Sequence, residues 1–208
     1  ENEVILCVPY IDLFYALLTV QGTNIKIGAQ NVHFEESGAY TGEISAKSLK
    51  ESGVTYSLVG HSERRANQNE TNEEINEKIK RLIENNIIPV LCVGETKEER
   101  ESNQVHSVIE KQITNALKDI SQYDMSKVII AYEPIWSIGT GLIPTLSEIE
   151  EVNDFIKQML PYNKIVYGGS ANEENIDSLK SNKIDGYLIG GLSLKPQQLQ
   201  TFIDRLKK

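Results

Sequence analysis

The stretch VIIAYEPIWSIGTG, Val128–Gly141, runs from an apolar segment into a carboxylate, a proline and a loop with two glycines. Every residue before Glu133 in this stretch is aliphatic or aromatic, which is typical of a strand buried on both faces of a parallel sheet. Glu133 is therefore predicted to lie at the carboxyl end of a strand. The fold depends on whether the rest of the chain repeats this arrangement.

The arrangement recurs along the whole chain. Short apolar runs are predicted as seven strands: Val4–Val8, Ile25–Ala29, Tyr56–Val59, Pro89–Val93, Val128–Tyr132, Ile165–Tyr167 and Gly186–Ile189. Each run precedes an amphipathic segment predicted as a helix: Asp12–Val20, Ala46–Ser52, Asn72–Asn86, Gln104–Ile120, Ser147–Leu160, Glu173–Ser181 and Gln197–Lys207. Strands that alternate with helices indicate an α/β fold with a parallel sheet covered by its crossovers.

The unusual residues distinguish an open sheet from a closed barrel. They follow strand after strand, at Gln30-Asn31, Gly60-His61, Gly94-Glu95, Glu133-Pro134, Gly168-Gly169-Ser170 and Gly190-Gly191. An open sheet would gather them at one switch point, whereas a (β/α)8 barrel builds its active site from many strand ends. We therefore predict a TIM barrel that forms a single domain over residues 1–208. Because eight units usually need roughly 250 residues, we expect seven of the eight units in this chain.

Composition excludes several classes of function. The formal charge of −9 disfavours nucleic acid and anionic membranes as partners. Only two cysteines occur, Cys7 and Cys92, and both lie in predicted strands, which indicates buried thiols and neither a disulfide scaffold nor a metal cluster. The chain has no apolar run of the roughly 18 residues that a membrane span needs. Its first residues do not have the pattern of a signal peptide, so we expect a cytoplasmic protein.

Two strand-end residues are candidates for proton transfer. A lone histidine is more often a structural hydrogen-bonding residue than a catalyst, but His61 follows a glycine at a strand end and precedes a serine and a glutamate. Glu133 is either a charged residue at the start of a loop or a carboxylate placed for acid–base chemistry.

Two glycine pairs indicate an anion site. Gly168-Gly169 and Gly190-Gly191 follow the last two predicted strands, where barrels of this kind usually bind phosphate through backbone N–H groups. The alternative is that these glycines only form tight turns.

The loop after Glu133 is unusually apolar for a solvated segment, and we interpret it as a lid that folds Ile138 over the site and excludes water.

Five motifs resemble the triosephosphate isomerase family. They are GHSERR at Gly60–Arg65, AYEPIWSIGTG at Ala131–Gly141, YGGS at Tyr167–Ser170, GYLIGGLSLKP at Gly186–Pro196 and GAQN…GAYTGEIS at Gly28–Ser45. The resemblance covers the chain in the expected order. It implies interconversion of dihydroxyacetone phosphate and D-glyceraldehyde 3-phosphate, with no metal and no organic cofactor.

The resemblance also implies roles for particular residues. Glu133 corresponds to the catalytic base of the family, and His61 corresponds to the neutral imidazole that hydrogen-bonds the enediolate. Cys92 resembles the cysteine that packs beside the catalytic glutamate. The donors to the substrate phosphate correspond to Gly139, Ser170, Gly190 and Gly191.

One part of the family pattern has no counterpart here. The family begins with a strand that ends in Asn-x-Lys, whereas Glu3–Leu13 resembles the second strand, so we expect the N-terminal strand and helix to be missing. Glu63 is then expected to be a partly buried carboxylate without its usual cation.

The loop Asn31–Glu43 resembles the arm that inserts into the second subunit of a homodimer, so dimerisation is expected for the complete protein.

Two other functions stay open at this point. The chain could be a catalytically impaired, barrel-derived protein that binds phosphate ligands or partners without turnover. It could also be another phosphate-binding barrel isomerase, although those families lack the Gly-His-Ser-Glu and Tyr-Glu-Pro motifs found here.

Overall fold

The computed structural model of the protein describes residues 2–206. These residues contain seven strands in one sheet in chain order: β1 Ile5–Val8, β2 Lys26–Ala29, β3 Tyr56–Val59, β4 Ile88–Val93, β5 Ile129–Tyr132, β6 Ile165–Tyr167 and β7 Gly186–Tyr187. The pairings from β1 to β4 and from β5 to β7 are parallel. The predictions for β3 and β6 agree residue for residue. The largest difference is at β7, which ends at Tyr187 instead of Ile189. The predicted α/β fold with seven parallel strands is confirmed.

Helices follow each strand. They are α1 Leu13–Thr19, α2 Ala46–Ser52, α3 Ser62–Asn67, α4 Asn72–Glu84, α5 Lys97–Glu101, α6 Val105–Ala116, α7 Gln122–Met125, α8 Leu146–Met159, α9 Ile176–Leu179 and α10 Pro196–Leu206. The hydrophobic pattern of the sequence did not predict α3, α5 and α7, which are all short. The predicted last residue of the final helix, Lys207, lies outside the described residues.

The helix α9 is much shorter than the predicted Glu173–Ser181 because side chains bind the backbone before it. The Asn172 carboxamide oxygen accepts from the N–H groups of Glu174 and Asn175 (2.8 and 3.1 Å). The Asn175 side chain then donates to the Ser170 carbonyl oxygen (2.9 Å). Side-chain bonds of this kind favour turns over helix, so the helix begins only at Ile176.

The chain divides into two compact units, which we describe separately. The N-terminal unit comprises Glu3–Cys92 and Gln112–Ile129, and of the described residues the C-terminal unit comprises Asn2, Val93–Lys111 and Ile130–Leu206. The single domain over residues 1–208 stays a prediction.

The N-terminal unit packs α4 against its sheet. Ile75, Ile79 and Leu82 recur at helical spacing and are each 0% exposed. A capping box begins this helix, because the Thr71 hydroxyl accepts from the Glu74 N–H while the Glu74 carboxylate accepts from the Thr71 N–H. The apolar face and the cap together fix α4 after the β3 strand end that carries His61.

A buried charged cluster lies beside α4 and includes Lys78 of that helix. The Glu70 carboxylate accepts hydrogen bonds from the Gly60 N–H (3.1 Å), the Arg64 guanidinium (3.0 Å) and the Lys78 ammonium. Lys78 also donates to the Asn31 side-chain oxygen (2.9 Å). Burial alone would raise the pKa of Glu70, but the hydrogen bonds and charges of Lys78 and Arg64 outweigh it and lower that pKa.

The C-terminal unit repeats this plan with α8. Ile149, Val152 and Ile156 form the buried face of the helix, and a capping box between Thr145 and Glu148 begins it. Strand β6 pairs with β5 and β7 in parallel register, with Tyr167 opposite both Tyr132 and Tyr187. The three strands therefore end at the same edge of the sheet.

Across residues 2–206, no helix is long and apolar enough to cross a membrane.

We predict that Glu70→Gln lowers the free energy of unfolding by roughly 3 to 5 kcal/mol, since it leaves the buried Lys78 ammonium without its anion. The lowered pKa of Glu70 means that its contribution is complete above about pH 4.3, the unfolded value, and is lost as pH falls below it. Urea denaturation as a function of pH measures both effects. Adding Lys78→Met to Glu70→Gln should recover part of the loss, and a double variant as unstable as the sum of the single variants would contradict this account.

Candidate active site

Glu133 directly follows β5 and is 2% exposed. Its N–H donates to the Val93 carbonyl oxygen (2.7 Å), so its main chain is bound to the end of β4. A buried carboxylate at a strand end differs from an ordinary loop residue, which would keep its charge in water. The burial therefore favours the acid–base interpretation of Glu133 over that of a charged loop residue.

Two glycines make room for Glu133. A Cβ atom on Gly94 would lie 1.8 Å from the Glu133 carbonyl oxygen, and one on Gly168 would lie 2.9 Å from the Glu133 Cγ. Separations this short are incompatible with any larger residue unless the neighbour shifts. Gly168 was assigned from the sequence only to an anion site or a turn, and the structure adds a packing role beside the candidate base.

A buried glutamate below the lid was missed as a site residue. Glu95 is 0% exposed, and its Oε1 accepts from Arg100 (3.0 Å), the Tyr132 hydroxyl (3.2 Å) and the Trp136 indole N–H (2.9 Å). Burial, together with the Glu95 charge, raises the pKa of Tyr132 well above its ordinary value, so this hydroxyl stays a donor. Glu95 thus ties Trp136, in the lid, to the strand that carries Glu133.

The candidate phosphate donors follow β6 and β7. Ser170 comes three residues after Tyr167, and Gly190 comes three after Tyr187, which pairs with Tyr167 in parallel register. A Cβ atom on Gly190 or Gly191 would have no heavy atom within 4 Å, so the backbone there borders open space. These positions are compatible with an anion that approaches the N–H groups.

The lid begins as a short 3-10 helix, Ile135–Ser137, and continues through Gly139 and Gly141 at φ of +69° and +79°. These left-handed conformations favour glycine at both positions. A Cβ atom on Gly139 would have no heavy atom within 4 Å. Ile138 is half-buried, and its function as a water-excluding cover stays a prediction.

His61 lies in the N-terminal unit, at the start of α3. Its Nδ1 accepts from the Glu63 N–H (3.3 Å) in the first turn of that helix. An imidazole nitrogen that accepts a hydrogen bond carries no proton, so the neutral ring has its proton on Nε2. The contact with Glu63 therefore fixes the Nδ1 atom of His61 as an acceptor at the start of α3, and its role in catalysis stays a prediction.

The expectation of a partly buried Glu63 is wrong. Its side chain is 74% exposed, because it projects to solvent from the first turn of α3. A carboxylate in that position is hydrated and also lies favourably at the helix N-terminus. It therefore needs no buried cation.

The two thiols differ in burial. Cys92 is 0% exposed in β4, as expected for a structural thiol. Cys7 is half-exposed as a residue, although burial of its sulfur raises its pKa to about 12. Cys7 therefore lacks the depressed pKa that a nucleophilic cysteine needs.

The loop Asn31–Glu43 is ordered by its own aromatic contacts. The His33 ring lies 4.4 Å from the Phe34 ring and 4.5 Å from the Tyr40 ring, measured between centroids. The His33 Nδ1 also lies 3.4 Å from the Glu43 carboxylate.

Residues 2–206 contain no group of three or more His, Cys, Asp or Glu side chains that could hold a metal. The absence of a metal and of a cofactor stays a prediction.

Parallel βα units whose strand ends carry a buried carboxylate, a histidine and glycine-rich turns are typical of an enzyme of the TIM-barrel class. A family model described as triosephosphate isomerase matches residues 1–206. The chain belongs to the triosephosphate isomerase family, which confirms the resemblance seen in the motifs.

Individual relatives agree with this membership. The triosephosphate isomerase of Clostridium botulinum (strain Langeland) is 46% identical over 97% of this chain and 86% of its own length. That of Dictyoglomus thermophilum is 43% identical over 98% and 86%. The crystal structure of triosephosphate isomerase from Bartonella henselae superposes with a TM-score of 0.90 at 36% identity, covering 99% of this chain and 86% of that one.

We predict that Gly168→Ala lowers kcat for triose phosphate by on the order of ten- to a hundredfold, because the new methyl group displaces the Glu133 side chain. Steady-state kinetics of the purified chain measures the effect. Gly186→Ala, whose Cβ meets only the Val166 side chain at 3.3 Å, is the matched control and should retain kcat. A Gly168→Ala protein with unchanged kcat would remove the assigned packing role.

Proposed function

We propose that this chain interconverts dihydroxyacetone phosphate and D-glyceraldehyde 3-phosphate, with Glu133 as the base and His61 as the hydrogen-bond donor. The observation that carries the proposal is the buried carboxylate of Glu133 at a strand end, in a chain that belongs to the triosephosphate isomerase family. The isomerisation moves one proton between adjacent carbons and one between their oxygens, so the residues need to supply a base, a hydrogen-bond donor and an anchor.

Glu133 takes the proton from the carbon next to the substrate carbonyl. The electron pair of the broken C–H bond forms a C=C bond, and the carbonyl oxygen becomes the oxygen of an enediolate. The protonated Glu133 then delivers the proton to the former carbonyl carbon. The hydroxyl proton moves from the oxygen of the first carbon to the oxygen of the former carbonyl, which leaves a carbonyl on the carbon that first lost its proton. The glycines at positions 94 and 168 support this role because they let the carboxylate stay at the end of β5.

His61 stabilises the charge that develops during this transfer. Because its Nδ1 accepts the Glu63 N–H, we assign the hydrogen bond to the enediolate oxygens to Nε2–H. A neutral donor aimed at the developing oxyanion lowers the barrier without itself being ionised.

The substrate phosphate supplies the anchor. Ser170, Gly139, Gly190 and Gly191 bind it, which orients the reacting carbons relative to the base. The lid then covers the site, which excludes water and protects the enediolate from side reactions.

The setting of the reaction follows from the same family membership. The proposed reaction is a step of glycolysis and gluconeogenesis, and we place it in the cytoplasm, as predicted from the sequence. We also propose that the complete protein is a homodimer that uses the loop Asn31–Glu43, whose ordered aromatic contacts support a defined contact surface.

We predict that the purified 208-residue chain converts triose phosphate in a coupled assay, and that Glu133→Gln lowers kcat by roughly a hundredfold to ten-thousandfold. Glu174→Gln is the control, since Glu174 is an exposed carboxylate of the same unit. Equal kcat for Glu133→Gln and the parent would reject Glu133 as the base.

The assay also separates the alternative function. A chain that binds 2-phosphoglycolate in calorimetry but shows no turnover would be a barrel-derived binding protein without isomerase activity. A chain that neither binds nor converts phosphorylated trioses would contradict both functions.

A further inference from the structure

Ser137 is the residue at which the lid is bound to the β6 turn. It is 0% exposed, although Leu142 and Ile143 later in the same segment are 51% and 40% exposed. The Ser137 hydroxyl donates to the Leu142 carbonyl oxygen (2.8 Å). The segment is therefore fastened near its beginning, while its later part faces solvent.

The same serine binds both donors of Ser170. The Ser170 N–H donates to the Ser137 hydroxyl oxygen (3.4 Å), and the Ser170 hydroxyl donates to the Ser137 carbonyl oxygen (2.5 Å). Each of these donors has one proton, so it cannot form a well-aligned bond to a second acceptor at the same time. A phosphate group that binds through Ser170 must take these donors from Ser137.

We propose that Ser137 competes with the substrate phosphate for Ser170 and so lowers the phosphate affinity of the site. This inference rests on the proposed function in one respect, since it takes Ser170 as a phosphate donor. Ser137 is then a positioning residue, because it acts on substrate affinity through Ser170 and the lid.

The hydroxyl of Ser137 is the part of the contact that a substitution can remove. Any residue at position 137 would offer its carbonyl oxygen to the Ser170 hydroxyl. The Ser170 N–H, in contrast, is accepted by the side chain of Ser137. Ser137→Ala therefore keeps one bond of the pair and deletes the other.

Thr140 provides a matched control within the same segment. Its hydroxyl donates to the Trp136 carbonyl oxygen (2.9 Å) and accepts from the Leu142 N–H (3.2 Å). These bonds lie wholly inside the lid. Thr140→Val therefore loosens the lid internally, as Ser137→Ala also does, but leaves the Ser137–Ser170 contact intact.

The test measures the affinity for inorganic phosphate by calorimetry and the KM for triose phosphate. Because Ser137→Ala loses one competing hydrogen bond, this variant should bind phosphate about fivefold more tightly than the parent. Its KM should fall by about the same factor, and its kcat should change less. Trp136 is the single tryptophan of the chain and lies next to Ser137. In Ser137→Ala, the change in its fluorescence emission should be half complete at a correspondingly lower phosphate concentration. The phosphate affinity of Thr140→Val should stay within about twofold of that of the parent.

Three outcomes would overturn the inference: unchanged or weaker phosphate binding by Ser137→Ala, equal tightening by Thr140→Val, or unchanged phosphate binding by Ser170→Ala. A merely structural role of Ser137 would lower the unfolding midpoint without tightening phosphate binding. If the parent chain isomerises triose phosphate but Ser137→Ala fails to bind phosphate more tightly, only this inference is lost. If the parent binds phosphate without turnover, the proposed function fails, and the Ser137→Ala affinity still decides this inference.

Discussion

The close approach of the Glu133 main chain to Gly94 is the constraint on which the rest of the candidate site depends. With only 1.8 Å between the Glu133 carbonyl oxygen and the place of a Gly94 Cβ, the ends of β4 and β5 can meet only if residue 94 lacks a side chain. Gly168 relieves the same crowding at the β6 end. The carboxylate is thus held by backbone geometry, which a parallel sheet defines more rigidly than a loop could.

A buried glutamate with hydrogen-bonded partners stabilises a strand end in each unit. In the C-terminal unit, Glu95 is buried below the lid but accepts hydrogen bonds from three side chains, including Arg100, so its charge is compensated. In the N-terminal unit, Glu70 binds the Gly60 N–H directly before His61 and is itself neutralised by two cations. Buried anions in both units therefore hold the ends of strands that carry the candidate chemistry.

Periodicity predicted the strands and the long helices well, because their apolar residues recur at the spacing that burial requires. The short helix α5 was missed although its signal was present: Thr96 followed by Glu99 is a capping box, and both of its bonds form. The strand ends carrying His61, Glu133 and Ser170 were also predictable, since polar or glycine residues after an apolar run are visible in one sequence.

Long-range partners were not predictable from the same pattern. Glu70 belongs to a segment for which the sequence suggested no function, and only the fold brings Lys78 and Arg64 to it. The exposure of Glu63 and the binding of Ser170 by Ser137 likewise depend on three-dimensional placement that no local spacing encodes. Specific roles of side chains thus come from contacts distant in sequence.

The central claim is that Glu133 transfers the proton between adjacent carbons of a phosphorylated triose. The most direct measurement incubates dihydroxyacetone phosphate with the chain in D2O and follows deuterium at the carbon next to the carbonyl by NMR. The account predicts incorporation of one deuterium by the parent chain and almost none by Glu133→Gln over the same time. Incorporation at equal rates by both proteins, or none by either, would contradict it.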